Sequence, residues 1–76
     1  MTDLGLYLAK RTVNKAEVSR RTGISKSRLT QLTSNDSAKL RADELYLIAL
    51  AINVDPGEIF IELHKGLGLK RKNNGA

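Results

Sequence analysis

Nine basic side chains crowd into residues 10–41: Lys10, Arg11, Lys15, Arg20, Arg21, Lys26, Arg28, Lys39 and Arg41, against only Glu17 and Asp36. The chemistry open to such a set is ionic, and a segment of net charge +7 is built to approach a polyanion. Residues 42–64 reverse the sign, with Asp43, Glu44, Asp55, Glu58 and Glu62 and no Lys or Arg. Residues 65–76 turn basic again through Lys65, Lys70, Arg71 and Lys72. A domain without a charged partner would be expected to mix its signs; here one segment faces a polyanion and another stays away from it.

Other chemistry finds few residues to work with. Without cysteine there are no disulfides, thiolate zinc sites or thiol nucleophiles. His64 is the only histidine, and near a helix end it suits the helix dipole or solvent rather than a metal, which would need further His or Cys ligands. Asp43 and Glu44 are neighbours in sequence, so on a helix they point in different directions and form no acid/base pair. No Ser-His-Asp arrangement is credible with one histidine at the far, acidic end. The expectation is therefore a protein that is not an enzyme and uses no metal or cofactor. Tyr7, Tyr46 and Phe60 are the only aromatics, too few for stacking on unpaired bases.

The chain has 76 residues, 41% of them hydrophobic and 28% charged, which fits one small globular domain. No stretch approaches the roughly 20 apolar residues of a membrane span. Met1–Ala9 has leucines but neither a preceding basic region nor a cleavage signature, so no signal peptide is expected and the expected compartment is the cytoplasm.

The elements that must position the cations read as helices throughout. Asp3 can cap a first helix running to about Arg11, with Leu4, Tyr7, Leu8 and Arg11 at helical spacing and Gly5 as a weakening residue inside it. Asn14 and Glu17 read as a capping box opening a second helix, Lys15 to Thr22, which Gly23 ends. Ser25 caps a third, Lys26 to Ser34, and Ser34-Asn35-Asp36-Ser37 is a polar break. A fourth fits Arg41 to Asn53. Asp55-Pro56-Gly57-Glu58 then starts a fifth, running to His64. The expected fold is an all-α bundle of about five helices over residues 1–65, with a frayed basic tail at 66–76.

Only Gly23, Ile24 and Ser25 join the second helix to the third, so the two must turn sharply against each other. Val18, Ile24, Leu29 and Leu32 supply the inner wedge, Ser19 is small at the crossing, and Gly23 permits the turn. With Leu45, Ile48, Ala49, Ile52, Val54, Ile59 and Phe60 following, the chain from Leu4 to Phe60 resembles the Cro/repressor-like helix-turn-helix proteins, also called the xenobiotic-response-element type. It departs from that pattern at Lys15, Ser19, Thr22 and Thr33, where the family often has glutamine, alanine, an apolar residue and glutamate. The Ser19 hydroxyl is expected to bond the carbonyl of Lys15.

The resemblance implies a helix-turn-helix over residues 15–34 that binds double-stranded DNA as a small transcriptional repressor, its third helix entering the major groove N-terminus first. Lys26, Ser27 and Gln31 match the family's base-reading positions: Lys26 for guanine, Gln31 for adenine, Ser27 permissive. Arg28, beside them, would read a base or clamp a phosphate. Lys15, Asn35, Lys39 and Arg41 are the expected phosphate contacts, Lys15 aided by the N–H groups at a helix start. For Lys10, Arg11 and Arg20 a plain solvated role weighs as much as contact.

The fourth helix holds more apolar residues than one core needs. Ala42, Leu45, Ile48, Ala49 and Ile52 form its inward stripe, while Leu47, Leu50 and Ala51 fall on other faces. Either Ile61, Leu63, Leu67 and Leu69 fold back over it, or Leu47 and Leu50 mark a homodimer or partner surface. Two other functional readings compete. One is an antitoxin or adaptor whose main partner is a protein held through Leu47 and Leu50. The other is a non-specific nucleic-acid binder driven by the basic segment and Lys70-Arg71-Lys72.

Overall fold

The computed structural model describes residues 1–69, so Lys70, Arg71 and Lys72 lie outside the described residues. Five helices follow in order: α1 (Asp3–Lys10), α2 (Lys15–Thr22), α3 (Lys26–Ser34), α4 (Ala42–Ala51) and α5 (Pro56–His64). The described residues hold no strand, and the fold is all-α. None of these helices is long and apolar enough to cross a membrane.

Most boundaries are set by local side chains that satisfy the N–H groups a helix start leaves unpaired. Asn14 Oδ1 accepts from the backbone N–H of Ala16 at 2.9 Å and of Glu17 at 3.2 Å. Ser25 Oγ accepts from Arg28 at 3.1 Å, and Asp55 Oδ2 accepts from Glu58 at 3.0 Å behind Pro56 at the first helical position. Gly23 ends α2 at φ 81°, in the left-handed region where glycine costs least.

Three expected details differ. The cap of α1 is Thr2, whose Oγ1 accepts from Gly5 N at 3.0 Å, while Asp3 sits in the first turn. The Asn14–Glu17 capping box is only half made, because the Glu17 carboxylate turns to Arg20. A returning glutamate occurs instead at α4, where Glu44 Oε1 accepts from Arg41 N at 3.0 Å. Helix α4 is also shorter than expected: Asn53 takes φ 60°, and Val54 N bonds back to Ala49 O at 2.9 Å.

The core is one cluster drawn from every helix: Leu4, Leu8, Val18, Leu29, Leu32, Leu45, Ile48, Ala49, Val54 and Ile59. Ile24, Ile52 and Leu63 pack against it from its edge. Ala42, expected inside, is exposed, because as the first residue of α4 it projects beyond the core. The buried residue of that first turn is Glu44. Leu63 alone of the four candidate covering residues meets the core, and Leu67 and Leu69 are 76% and 97% exposed. Among the described residues, then, the C-terminal segment does not fold back over α4.

Helix α1 packs on α3 so closely that its start serves the end of its neighbour. Thr2 N donates to Thr33 O at 3.0 Å and Thr2 Oγ1 to Leu32 O at 2.6 Å, satisfying carbonyls that α3 leaves unpaired. A methyl group built at Gly5 would collide with the Thr33 carbonyl oxygen, a backbone atom that cannot swing aside. Gly5 is thus the residue that lets α1 seat, not a weak point within it. Gly5→Ala would gain up to about 1 kcal/mol at an open helix position. Here it is expected to destabilise by about 1–3 kcal/mol through overpacking. A lower thermal midpoint than wild type is the expected result, and a higher one would contradict the close approach.

Candidate nucleic-acid interface

The connection between α2 and α3 is held by two hydroxyls as well as by Gly23. Ser19 Oγ donates to Ile24 O at 2.6 Å, across the turn and not back to Lys15 as expected. Thr22 Oγ1 donates to Val18 O at 2.7 Å and accepts from Ile24 N at 3.1 Å. The helical carbonyl of Lys15 already has the Ser19 N–H within reach, whereas Ile24 O at the turn has no helical partner, so the hydroxyl goes where a donor is lacking. Two of the positions that depart from the family pattern, Ser19 and Thr22, therefore carry the polar bonding of the turn. A third, Thr33, is buried with its hydroxyl donating to Leu29 O at 2.9 Å.

Helix α3 buries Leu29, Leu32 and Thr33 and presents Lys26, Ser27, Thr30, Gln31 and Ser34 to solvent. Three- and four-residue spacing puts these exposed side chains on one face. Lys26, Ser27 and Gln31 are brought together as expected from the sequence. Thr30, not singled out there, lies among them, and its spacing of three from Ser27 and four from Lys26 was the available signal.

Arg28 is placed differently. Its Nε donates to Glu44 Oε2 at 2.9 Å, and its Nη2 to Glu44 Oε1 at 3.0 Å and to Lys39 O at 2.7 Å. The side chains are 30% and 9% exposed for arginine and glutamate respectively. The guanidinium is therefore turned toward the protein and does not project from α3 with Lys26 and Gln31.

The other cations of residues 10–41 divide by type. Arg11 lies over the Tyr7 ring at 4.8 Å, Arg20 pairs with Glu17, Arg21 Nη1 donates to Ala51 O at 2.9 Å, and Arg41 pairs with Asp43 at 3.1 Å. All five arginines thus engage other groups of the chain. Among the described residues Lys10, Lys15, Lys26 and Lys39 make no ion pair, and all four are exposed. The Arg41–Asp43 pair is itself exposed, and pairs of that kind are worth at most about 1 kcal/mol. Asn35 Oδ1 accepts from Ser37 N at 2.9 Å and Ser37 Oγ at 2.7 Å, which shapes the loop after α3. At α2, Asn14 already occupies the N–H groups of Ala16 and Glu17, so an anion near Lys15 would be held by the ammonium more than by the helix start.

His64 stands apart from this face. Its Nδ1 lies 2.7 Å from Phe60 O and its ring is 4.4 Å from the Phe60 ring, so it serves the end of α5. Leu47 and Leu50 are 37% and 48% exposed on α4.

Two helices joined by a three-residue turn, the second with a buried apolar side and an exposed polar face, define a helix-turn-helix domain. The family model of the Cro/C1-type helix-turn-helix DNA-binding domain matches residues 4–63, and the chain belongs to that family of DNA-binding domains. Comparison with curated proteins and with solved structures found no match.

The Arg28 guanidinium above all, and then the Arg41 N–H, hold the Glu44 carboxyl below the ordinary glutamate value of 4.5, against the opposing effect of burial. A carboxyl lowered on folding adds stability above its unfolded value, and that stability is lost as pH falls through the folded value. Glu44→Gln is expected to melt at lower temperature than wild type at neutral pH. The gap should narrow on acidification below 4.5. Thermal melts across the acid range check this, and a gap independent of pH would count against the ion pair.

Proposed function

We propose that the protein is a sequence-specific double-stranded DNA-binding regulator, acting as a repressor by occupying its site, with α3 lying in the major groove. The observation that carries this reading is the exposed face of α3, where Lys26, Ser27 and Gln31 stand together and Lys26 makes no ion pair among the described residues. Lys26 can donate to guanine O6 and N7, Gln31 can pair with adenine at two atoms, and Ser27 accepts either role. Thr30 adds a methyl and a hydroxyl to the same face. Lys15, Asn35, Lys39 and Arg41 grip the backbone on either side, with Arg41 exchanging its exposed Asp43 partner for a phosphate.

The open apolar surface of α4 and α5 favours assembly with protein as well. Tyr46, Leu47, Leu50, Phe60 and Ile61 are exposed, and several large apolar side chains exposed on two adjacent helices signal an interaction surface. For a second copy held there to read the same DNA, the two α3 helices must lie about 34–36 Å apart on successive turns of one face. An antitoxin or adaptor, whose main partner is another protein, is the second reading that the same surface supports.

Selection from a random duplex pool at about 150 mM salt, where purely electrostatic binding is weakened, tests the central claim. A palindrome with half-sites about 10 base pairs apart is expected for a dimer. Salt-sensitive binding without enrichment would favour a non-specific binder instead. On the selected duplex, Lys26→Ala and Gln31→Ala should each cost about 1–3 kcal/mol and relax one position, while Lys15→Ala should weaken all sequences alike and lower the salt slope by about 1. Leu47→Ser with Leu50→Ser should shift sedimentation toward monomer. No shift, with a stoichiometric heterologous protein retained on Leu47 and Leu50, would favour the adaptor reading.

A further inference from the structure

We propose that Arg28 is a positioning residue for base reading: paired with Glu44, it fixes the leading end of α3 relative to α4 and to the loop that follows α3, and contacts no base itself. The proposal rests on the reading of α3 as the DNA-reading helix.

Arg28 lies in the first turn of α3, immediately after Lys26 and Ser27, at the end that enters the groove first. The backbones of α3 and α4 do not approach each other closely, and among the described residues the Arg28–Glu44 pair is the hydrogen-bonded link between these helices. Its geometry is the two-point fork of a guanidinium on a carboxylate, which restrains orientation as well as distance. The same guanidinium holds the Lys39 carbonyl, while Glu44 Oε1 also holds the Arg41 N–H. One carboxylate and one guanidinium therefore tie together three segments: the base-facing start of α3, the loop bearing Lys39, and the start of α4 at Arg41. Those segments carry both the candidate base readers and the candidate phosphate contacts. The spacing between the two kinds of contact is thus set within the protein before DNA arrives.

Glu44 makes the arrangement hard to leave. It is buried, and swinging Arg28 outward to a base would strip its carboxylate of both guanidinium bonds. A buried carboxylate without its partner is strongly unfavourable. A lysine at this position would keep the charge but lose the fork, so it should not restore the orientation.

The test measures binding of wild type, Arg28→Gln, Arg28→Lys, Glu44→Gln and the Arg28→Gln/Glu44→Gln double variant. Each is assayed on the duplex selected by wild type and on all its single-base-pair changes, with the folded fraction of each protein fixed by circular dichroism. Arg28→Gln and Glu44→Gln should each lower affinity for the selected duplex by about tenfold, and the double variant should be no worse than either. Discrimination should flatten at all read positions together, with an unchanged salt slope, and Arg28→Lys should not rescue it. Glu44 is the decisive residue, since it is buried and lies on α4, not on the exposed face of α3. If the single variants fail to fold, the apolar pair Arg28→Met/Glu44→Leu removes the buried charge while keeping a filled site. A folded apolar pair should also show the flattened profile, and wild-type discrimination from it would overturn the proposal. So would loss confined to one base pair in Arg28→Gln with Glu44→Gln normal, a salt slope lowered by about 1 in Arg28→Gln, or no effect of either variant. Failure of wild type to enrich any duplex would instead overturn the DNA-reading function on which the proposal stands.

Discussion

Three residues between α2 and α3 leave those helices no freedom to lie apart, and the rest of the molecule is arranged around that constraint. Gly23 reverses the chain in the left-handed region, and the Ser19 and Thr22 hydroxyls satisfy the backbone groups of Ile24 that the turn leaves without helical partners. With the turn held this way, Val18, Leu29 and Leu32 face a common interior, where Leu4 and Leu8 of α1 and Leu45 and Ile48 of α4 join them. The opposite side of α3 is left to solvent because the buried side uses every large apolar residue the helix has. An exposed polar face is thus the geometric complement of the core.

Charge is sorted by the shape of the cation. A guanidinium presents a flat fork that matches carboxylates and carbonyls, and each of the five arginines between residues 10 and 41 is engaged within the chain. An ammonium is a strongly hydrated point charge, and the four lysines of that stretch stay in water. The net charge of the segment is unaltered by this sorting, but among the described residues its cations without an ion pair or other partner are the lysines. Acids of residues 42–64 differ in role, and Asp43 and Glu62 form exposed ion pairs with Arg41 and Lys65. Glu44 is consumed inside as the anchor of Arg28, whereas Asp55 and Glu58 serve the start of α5.

The surplus of apolar residues on α4 is resolved by surface and not by burial. Leu45, Ile48 and Ala49 take the core, Leu47 and Leu50 remain open, and Leu67 and Leu69 beyond α5 turn outward as well. Leu47 and Leu50 are thus left as exposed apolar side chains on a helix that is apolar nearly all round. Both lie within residues 42–64, the acidic part of the chain.

Much of this was legible in the amino-acid sequence because it depends on neighbours a few residues apart. The five helices, the caps at Asn14, Ser25 and Asp55, the left-handed Gly23 and the buried apolar positions of α2 and α3 all follow from spacing and local hydrogen bonding. The exposed grouping of Lys26, Ser27 and Gln31 follows from helical period alone. What local spacing could not specify is how one element meets another. Gly5 reads as a defect until α1 is seen against the Thr33 carbonyl, and Arg28 reads as an outward cation until Glu44, sixteen positions on, is seen beneath it. Short-range order thus determined the helices and their faces. Only the tertiary structure decided that Arg28 turns inward, because a side chain's direction is settled by the strongest partner within reach, and its partner Glu44 lies on another helix.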